Sequence, residues 1–268
     1  MLDFGFPGRP AFDTAFSRAL LDQVASGAAP ETFRLYRPDD VLAFSGVDAA
    51  GAGFDAAVAA ARAAGFAPAL RLAGGRAAVF HTETLAFAWT IPAPESRDGI
   101  HARFAEVADL IAAALRRFGV DARIGEVAGE YCPGEYSVNA RGVRKLVGVG
   151  QRLIRGAAHV GGVIVVHGSA RVCAVLEPVY AAMGVDWEPA TTGSVEDEVG
   201  GATCDAVANA VLEELESRFD VATKDAVPIE AALAGAAVLE DRFAIDCGTA
   251  RRATSSATQL TKIATELA

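Results

Sequence analysis

The stretch "GEYCPGEYSVNARGVRKLVGVGQR", residues 129–152, sets one cysteine, Cys132, in a Pro/Gly turn and one lysine, Lys145, ahead of a glycine-spaced segment. Within it, "SVNARGVRKLVGVG" (137–150) predicts a hairpin that turns near Arg141-Gly142. Just beyond, "HVGGVIVVHG" (159–168) predicts a buried strand whose Gly161-Gly162 pair permits close backbone approach. The middle of the chain is therefore read as β-rich.

Working outward, Phe12, Phe16, Leu20 and Val24 recur at a spacing of four and predict a helix over about 11–25, ended by Gly27. "TFRLYRP" (32–38) alternates as a half-buried strand does, and "DDVLAFSG" (39–46) supplies a second short strand. The alanine-rich "FDAAVAAARAAG" (54–65) predicts a helix, and "LAFAWTIP" (85–92) another strand. Phe104, Val107, Ile111, Leu115 and Phe118 share one helical face over 100–118, with Gly119 as terminator. Further helices are predicted at 170–183 and 199–219, and a helical pattern runs through 229–241 before the Ser/Thr-rich "RRATSSATQLTK" (251–262). The pattern is one of mixed sheet and helix.

Composition narrows the function. The 24 basic and 34 acidic residues give a net charge of −10, which repels phosphate backbones, so nucleic acid is not expected as a partner. Apolar runs such as "VGGVIVV" fall far below the roughly 20 residues that span a bilayer, so no membrane is expected and the chain is read as soluble and cytoplasmic. Cys132, Cys173, Cys204 and Cys247 show no CxxC spacing, and His81, His101, His159 and His167 form no HxH or HxxxH pair. A metal site is therefore not expected.

Two segments are candidates for chemistry. In "RLAGGRAAVFH" (71–81), a glycine pair between two apolar runs can present backbone N–H groups to an anion, with Arg71 and Arg76 adding charge; the same residues also suit a plain hairpin turn. Cys173 and Cys204 fit helical apolar faces, whereas Cys132 lies in "EYCPGEY", where a turn leaves its thiol accessible. Glu130 and Glu135 would raise that thiol unless a cation offsets them, and Lys145 could be that cation. Gly148 and Gly150, two residues apart, could floor a groove that holds an acyl chain with its carbonyl at Lys145; the alternative is a solvated basic hairpin. His159 and His167 flank the apolar strand after this hairpin and could serve as a base or as structural histidines.

Taken in order, these segments resemble the lipoate–protein ligase and octanoyltransferase family, whose catalytic domain is shared with biotin–protein ligases. The resemblance runs over about residues 30–170 and more faintly through "TTGSVEDEVGG" (191–201). The family's loop Arg-x-x-Gly-Gly-x-Ala-Val is matched by Arg71, Gly74, Gly75, Ala77 or Ala78, and Val79; its Lys-x-x-Gly-x-x-Gln/Tyr motif is matched by Lys145, Gly148 and Gln151. A departure is Gly161-Gly162, where the family commonly has His-Gly, with His159 two residues earlier; Leu72 also replaces the usual arginine or proline.

The resemblance implies an α+β fold with a mixed, largely antiparallel sheet and helices packed on it, like a class II synthetase. It implies a catalytic domain over 1–222 and a helical extension or tail over 223–268. Members move an octanoyl or lipoyl group onto a lysine of a lipoyl carrier domain, from an acyl-carrier protein or a lipoylated protein in the transferases. Transferases form a cysteine thioester without ATP, while ligases use ATP and Mg to form an acyl-adenylate. The expectation is a transferase with Cys132 as nucleophile and Lys145 neutralising the carbonyl oxygen, and with Arg71, Gly74, Gly75, Arg76, Ala78, Gly148 and Gln151 lining the acyl site. The rival is an ATP-dependent ligase in which Arg71 and Lys145 hold the adenylate; a non-catalytic acyl carrier is a third reading.

Overall fold

Long apolar strands that alternate little must be covered on both faces, and the two ten-residue strands over 84–93 and 156–165 meet this condition at the centre of one six-stranded sheet. The structure, a computed structural model, describes residues 1–94, 97–222 and 227–246. The large sheet contains β1 (Thr32–Tyr36), β5 (Thr84–Ala93), β6 (Ala122–Ile124), β7 (Val138–Ala140), β8 (Arg144–Ile154) and β9 (Gly156–Val165). Its strand order is β1-β5-β9-β8-β7-β6, and every neighbouring pair is antiparallel. Three short strands, β2 (Val41–Phe44), β3 (Ala67–Leu70) and β4 (Ala78–Phe80), make a second sheet with β2 in the middle, parallel to β3 and antiparallel to β4. The fold is thus α+β and largely antiparallel, as the sequence led us to expect.

Helices cover the sheets by their apolar stripes. α4 (Ile100–Arg117) presents Val107, Ile111 and Leu115, and with α7 (Cys204–Arg218) it seals one face of the large sheet. α1 (Phe12–Ser26) packs on β5 and β9, and Gly27 ends it in the left-handed conformation. α3 (Phe54–Ala63) and α5 (Ser169–Met183) cover the small sheet, which the four-residue α2 (Gly46–Ala49) adjoins. No helix among the described residues is long and apolar enough to cross a membrane.

Three local outcomes differ from the sequence pattern. The Gly74-Gly75 segment does not join a hairpin, because β2 lies between β3 and β4. The helix expected over 199–219 starts only at Cys204; Gly200 and Gly201, both with positive φ, break the chain after α6 (Val195–Val199), and the Thr203 hydroxyl caps the new start. The pattern at 229–241 forms α8 (Ile229–Leu239), which lies along α1, with Ala232 and Ala236 buried against it. Beyond it, Phe243 and Ala244 pair with the edge of β3. The Ser/Thr-rich 251–262 lies outside the described residues.

Candidate active site

A hairpin supplies the lysine. Arg141 and Gly142 both adopt positive φ, 58° and 77°, as the central residues of a tight turn closed by the Val143 N–H on the Ala140 carbonyl, and the Asn139 side chain accepts the Gly142 N–H at 2.7 Å. On β8 the register then slips: Asn139 faces Lys145, but Val138 faces Val147, leaving Leu146 as an extra residue. The bulge changes the phase of the strand. Leu146 and Val147 both enter the core under α4, so Lys145 and Gly148 share the opposite, cavity face.

The cysteine loop is held to this lysine by a buried carboxylate. Glu130, 3% exposed, accepts from the Val127 N–H at 3.1 Å, the Gly134 N–H at 3.1 Å and the Ser137 hydroxyl at 2.6 Å. It also pairs with Lys145 Nζ at 3.0 Å, and Lys145 donates further to the carbonyls of Tyr131 (3.0 Å) and Cys132 (2.7 Å). All three ammonium protons are therefore engaged. Cys132 sits at φ 45°, a conformation that costs a non-glycine residue on the order of 1–3 kcal/mol and persists because the carbonyls on either side are pinned.

This geometry delivers the sulfur to the glycine loop. Cys132 Sγ accepts from the backbone N–H of Arg76 at 3.1 Å and from the Arg71 guanidinium at 3.5 Å. Arg71 in turn donates to the Gly74 carbonyl. Gly75 is required twice over: its φ is +98°, and a Cβ there would stand 2.8 Å from Sγ. Burial by itself raises the thiol pKa, but the charges of Arg71 and Lys145 and the two donated hydrogen bonds outweigh it and hold Cys132 below the ordinary thiol value. Cys204, buried, and Cys173, half-buried, are instead pushed up, burial being the largest cause for each. Cys247 lies outside the described residues.

Sulfur and ammonium open onto a cavity of about 360 Å³. Of the residues expected from sequence, Arg71, Gly74, Gly75, Ala78, Cys132, Lys145, Gly148 and Gln151 line it. Arg76 does not; its N–H reaches the sulfur, while its guanidinium turns toward the buried Asp48 at 3.4 Å. The glycine loop settles on β8 because position 150 has no side chain: a Cβ on Gly150 would stand 2.9 Å from that of Ala73. At the far end Gln151 takes hydrogen bonds from Arg103 at 3.2 Å and donates to the Ile100 carbonyl at 3.2 Å, which ties α4 to the cavity wall. Phe104 and Tyr136 stack there with centroids 5.2 Å apart, and His101 lies 3.1 Å from the Tyr136 hydroxyl.

Sequence reasoning missed this aromatic wall, which joins α4 to the cysteine loop across about 30 residues of chain. It also treated Glu130 as a hindrance to the thiol, although the flanking acid in "GEYC" was visible; only pairing with Lys145 makes it a brace. His159 is buried outside this cavity with its Nδ1 unpartnered, and burial lowers its pKa to about 4. His167 lies at the end of β9, its N–H bonded to the Glu83 carbonyl. Among the described residues no three His, Cys, Asp or Glu side chains gather as a metal site would require.

Comparison with known proteins gives this arrangement a family. Lipoate-protein ligase A bound with ATP superposes over 90% of this chain and 93% of its own, with TM-score 0.68 and 21% identity. A bi-partite lipoate protein ligase from Thermoplasma acidophilum, solved with its E2 lipoyl domain, covers 90% and 92% with TM-score 0.62 and 19% identity. These likenesses establish the fold. Two curated relatives, each an octanoyl-[GcvH]:protein N-octanoyltransferase, align over 164 residues: that of Geobacillus kaustophilus at 28% identity and that of Anoxybacillus flavithermus at 30%. Each alignment takes in 60% of this chain and 58% of the relative, so the chain spans a little over half the length of these relatives. The model of the lipoyl protein ligase A/B catalytic domain matches residues 9–216, most of the chain, and the protein therefore belongs to the lipoyl protein ligase A/B catalytic-domain family.

Proposed function

We propose that this protein is an acyltransferase that carries an octanoyl or lipoyl group on Cys132 and delivers it to a lysine of a lipoyl carrier domain. The observation that carries the reading is Cys132 Sγ, 3.1 Å from the Arg76 N–H and 3.5 Å from Arg71, at the mouth of a cavity of about 360 Å³. A structural cysteine has no use for two donors that favour its thiolate. The naming of both curated relatives as octanoyltransferases acting from octanoyl-[GcvH] supports the same acyl group and a carrier-protein donor.

In this mechanism the Cys132 thiolate attacks the carbonyl carbon of the bound acyl donor, and the carbonyl electrons move onto oxygen. Collapse expels the donor's thiolate or, once the amide nitrogen has taken a proton from solvent, its neutral amine, and leaves an acyl thioester on Sγ. The neutral amine of the carrier lysine then attacks that thioester, and the Cys132 thiolate leaves as an amide forms; the proton lost by the amine passes to solvent. The acyl chain lies on the floor of Gly148 and Gly150 between Ala78 and the Phe104–Tyr136 wall. Arg71 and the Arg76 N–H, already at the sulfur, are placed to meet charge on the oxygen. Lys145, its protons engaged, serves by position and charge: it holds the strained loop and lowers the thiol.

We assign catalysis to residues 1–222, with 223–268 as an extension whose α8 lies along α1. A thiolate cycle suits a reducing compartment, so we place the protein in the cytoplasm. Incubation with an octanoyl-carrier protein, followed by intact-mass measurement, should add one octanoyl mass as a hydroxylamine-labile adduct, and Cys132→Ala should abolish it. Transfer that needs ATP, shows lipoate-dependent ATP–pyrophosphate exchange and survives Cys132→Ser would replace this reading with the ATP-dependent ligase.

A further inference from the structure

Beside the catalytic cavity lies a second groove, of about 410 Å³, and the two share Arg71 and Gly74. Its lining comes from five separate places in the chain: α1, α2, the end of β3 with the glycine loop, β8, and the turn after α8. Four arginines, Arg18, Arg71, Arg152 and Arg242, line it, and no aspartate or glutamate does. That is unexpected in a chain of net charge −10, in which acidic side chains outnumber basic ones 34 to 24. Arg18 is paired with Asp22, but among the described residues neither Arg152 nor Arg242 forms an ion pair, and both are exposed. At the lip stands Val47, 62% exposed, and half-buried Leu72 lies in the lining.

A single small anion is a poor match for this surface. Phosphate sites converge several donors on one point, whereas Arg152 and Arg242 are exposed on different elements around an open trough. Apolar contact beside spaced guanidinium groups is the composition of a protein interface, where arginine is enriched and opposite charges steer the encounter. We propose that this groove docks an acidic surface of the carrier protein from which, or to which, Cys132 passes its acyl group. Docking here sets the carrier next to the glycine loop, where the two cavities meet. The inference rests on the proposed acyltransferase reading for the identity of its partner, and binding tests it separately from transfer.

The test uses the full chain, a GcvH-type carrier protein as the probe, and calorimetric titration at low and physiological salt. Arg152→Glu/Arg242→Glu should weaken carrier binding on the order of tenfold or more and flatten its salt dependence, while Arg152→Lys/Arg242→Lys should retain both. Acylation of Cys132 by p-nitrophenyl octanoate, which needs no docking, should stay within about twofold of wild type, since neither side chain lines the cavity that holds the sulfur. Unchanged carrier affinity in the Glu variant overturns the docking surface, whether or not the wild-type protein transfers the acyl group. Competition by millimolar inorganic phosphate with carrier affinity intact in that variant also overturns it, in favour of a small-anion site. Failure of wild type to form any Cys132 adduct, with the tenfold loss of affinity still present, would overturn the catalytic reading and leave the docking surface standing.

Discussion

Two cations in this protein are equally buried and do different work. Arg34 and Lys145 are each 1% exposed, and each is paired with a carboxylate, Asp13 and Glu130. Arg34 also donates to the carbonyls of Phe4 (2.9 Å) and Asp13 (3.3 Å), and its guanidinium lies 3.7 Å from the Tyr36 ring centre and 5.1 Å from that of Phe16. It fastens the N-terminal segment and α1 onto β1. Lys145 donates to two carbonyls as well, but those belong to a loop bent through a left-handed cysteine, and its side chain forms part of a cavity wall. A buried ion pair therefore does not mark a site by itself. The difference lies in what the cation restrains: a sealed packing layer in one case, a cysteine beside open volume in the other.

Replacing each cation by methionine is the strongest way to break this comparison. Arg34→Met and Lys145→Met each leave a carboxylate buried without its partner, and each should cost about 3–5 kcal/mol in urea unfolding. Octanoyl transfer per folded molecule should fall on the order of a hundredfold for Lys145→Met, because the cysteine loop loses the cation that positions it, and stay within about twofold for Arg34→Met. Equal losses of transfer in both would erase the distinction.

Acid should sharpen it from another side. His81 and His159 are buried and held near pKa 4, burial being the largest cause for each, so the unfolded chain binds protons that the folded one refuses. Their contribution is neutral above the unfolded pKa of about 6.5 and becomes destabilising as pH falls toward 4. At pH 5 each should cost about 2 kcal/mol relative to pH 7, and His81→Asn/His159→Asn should flatten the urea midpoint between those pH values. The smallest effect is on thiol reactivity: iodoacetamide should modify Cys132 with a midpoint below the usual thiol value of about 8.5, and Cys173 and Cys204 with midpoints above it. A Cys132 midpoint at or above the usual value would remove the case that Arg71 and Lys145 activate it.

Much of this was legible because it is local. An apolar spacing of three and four residues gives α1 and α4 whichever partner they meet, and Arg141-Gly142 turns because its backbone favours positive φ at the glycine and tolerates it before. The short-range motif Lys145, Gly148, Gln151 and the loop Arg71 to Val79 could be read for the same reason, and they carried the family. The single glycine pair at 74–75 suggested a hairpin as readily as a site, because sequence does not tell which strand will lie between two others.

What the sequence determined by itself, then, was the longer helices and strands and their order, the family's glycine-loop and lysine motifs, and the candidate pair of Cys132 and Lys145. Only the tertiary structure decided how those residues face one another. Counting by twos along β8 puts Lys145 on the same face as Val147 and opposite Gly148; the bulge at Leu146, enforced by burying two successive apolar side chains, reverses this. Glu130 becomes a brace rather than a repelling charge because β8 brings an ammonium to 3.0 Å from it. Arg71 meets the Cys132 sulfur across 61 residues, and Arg152 and Arg242 join one groove across 90. Such meetings depend on packing over long separations in the chain, where no local propensity reaches.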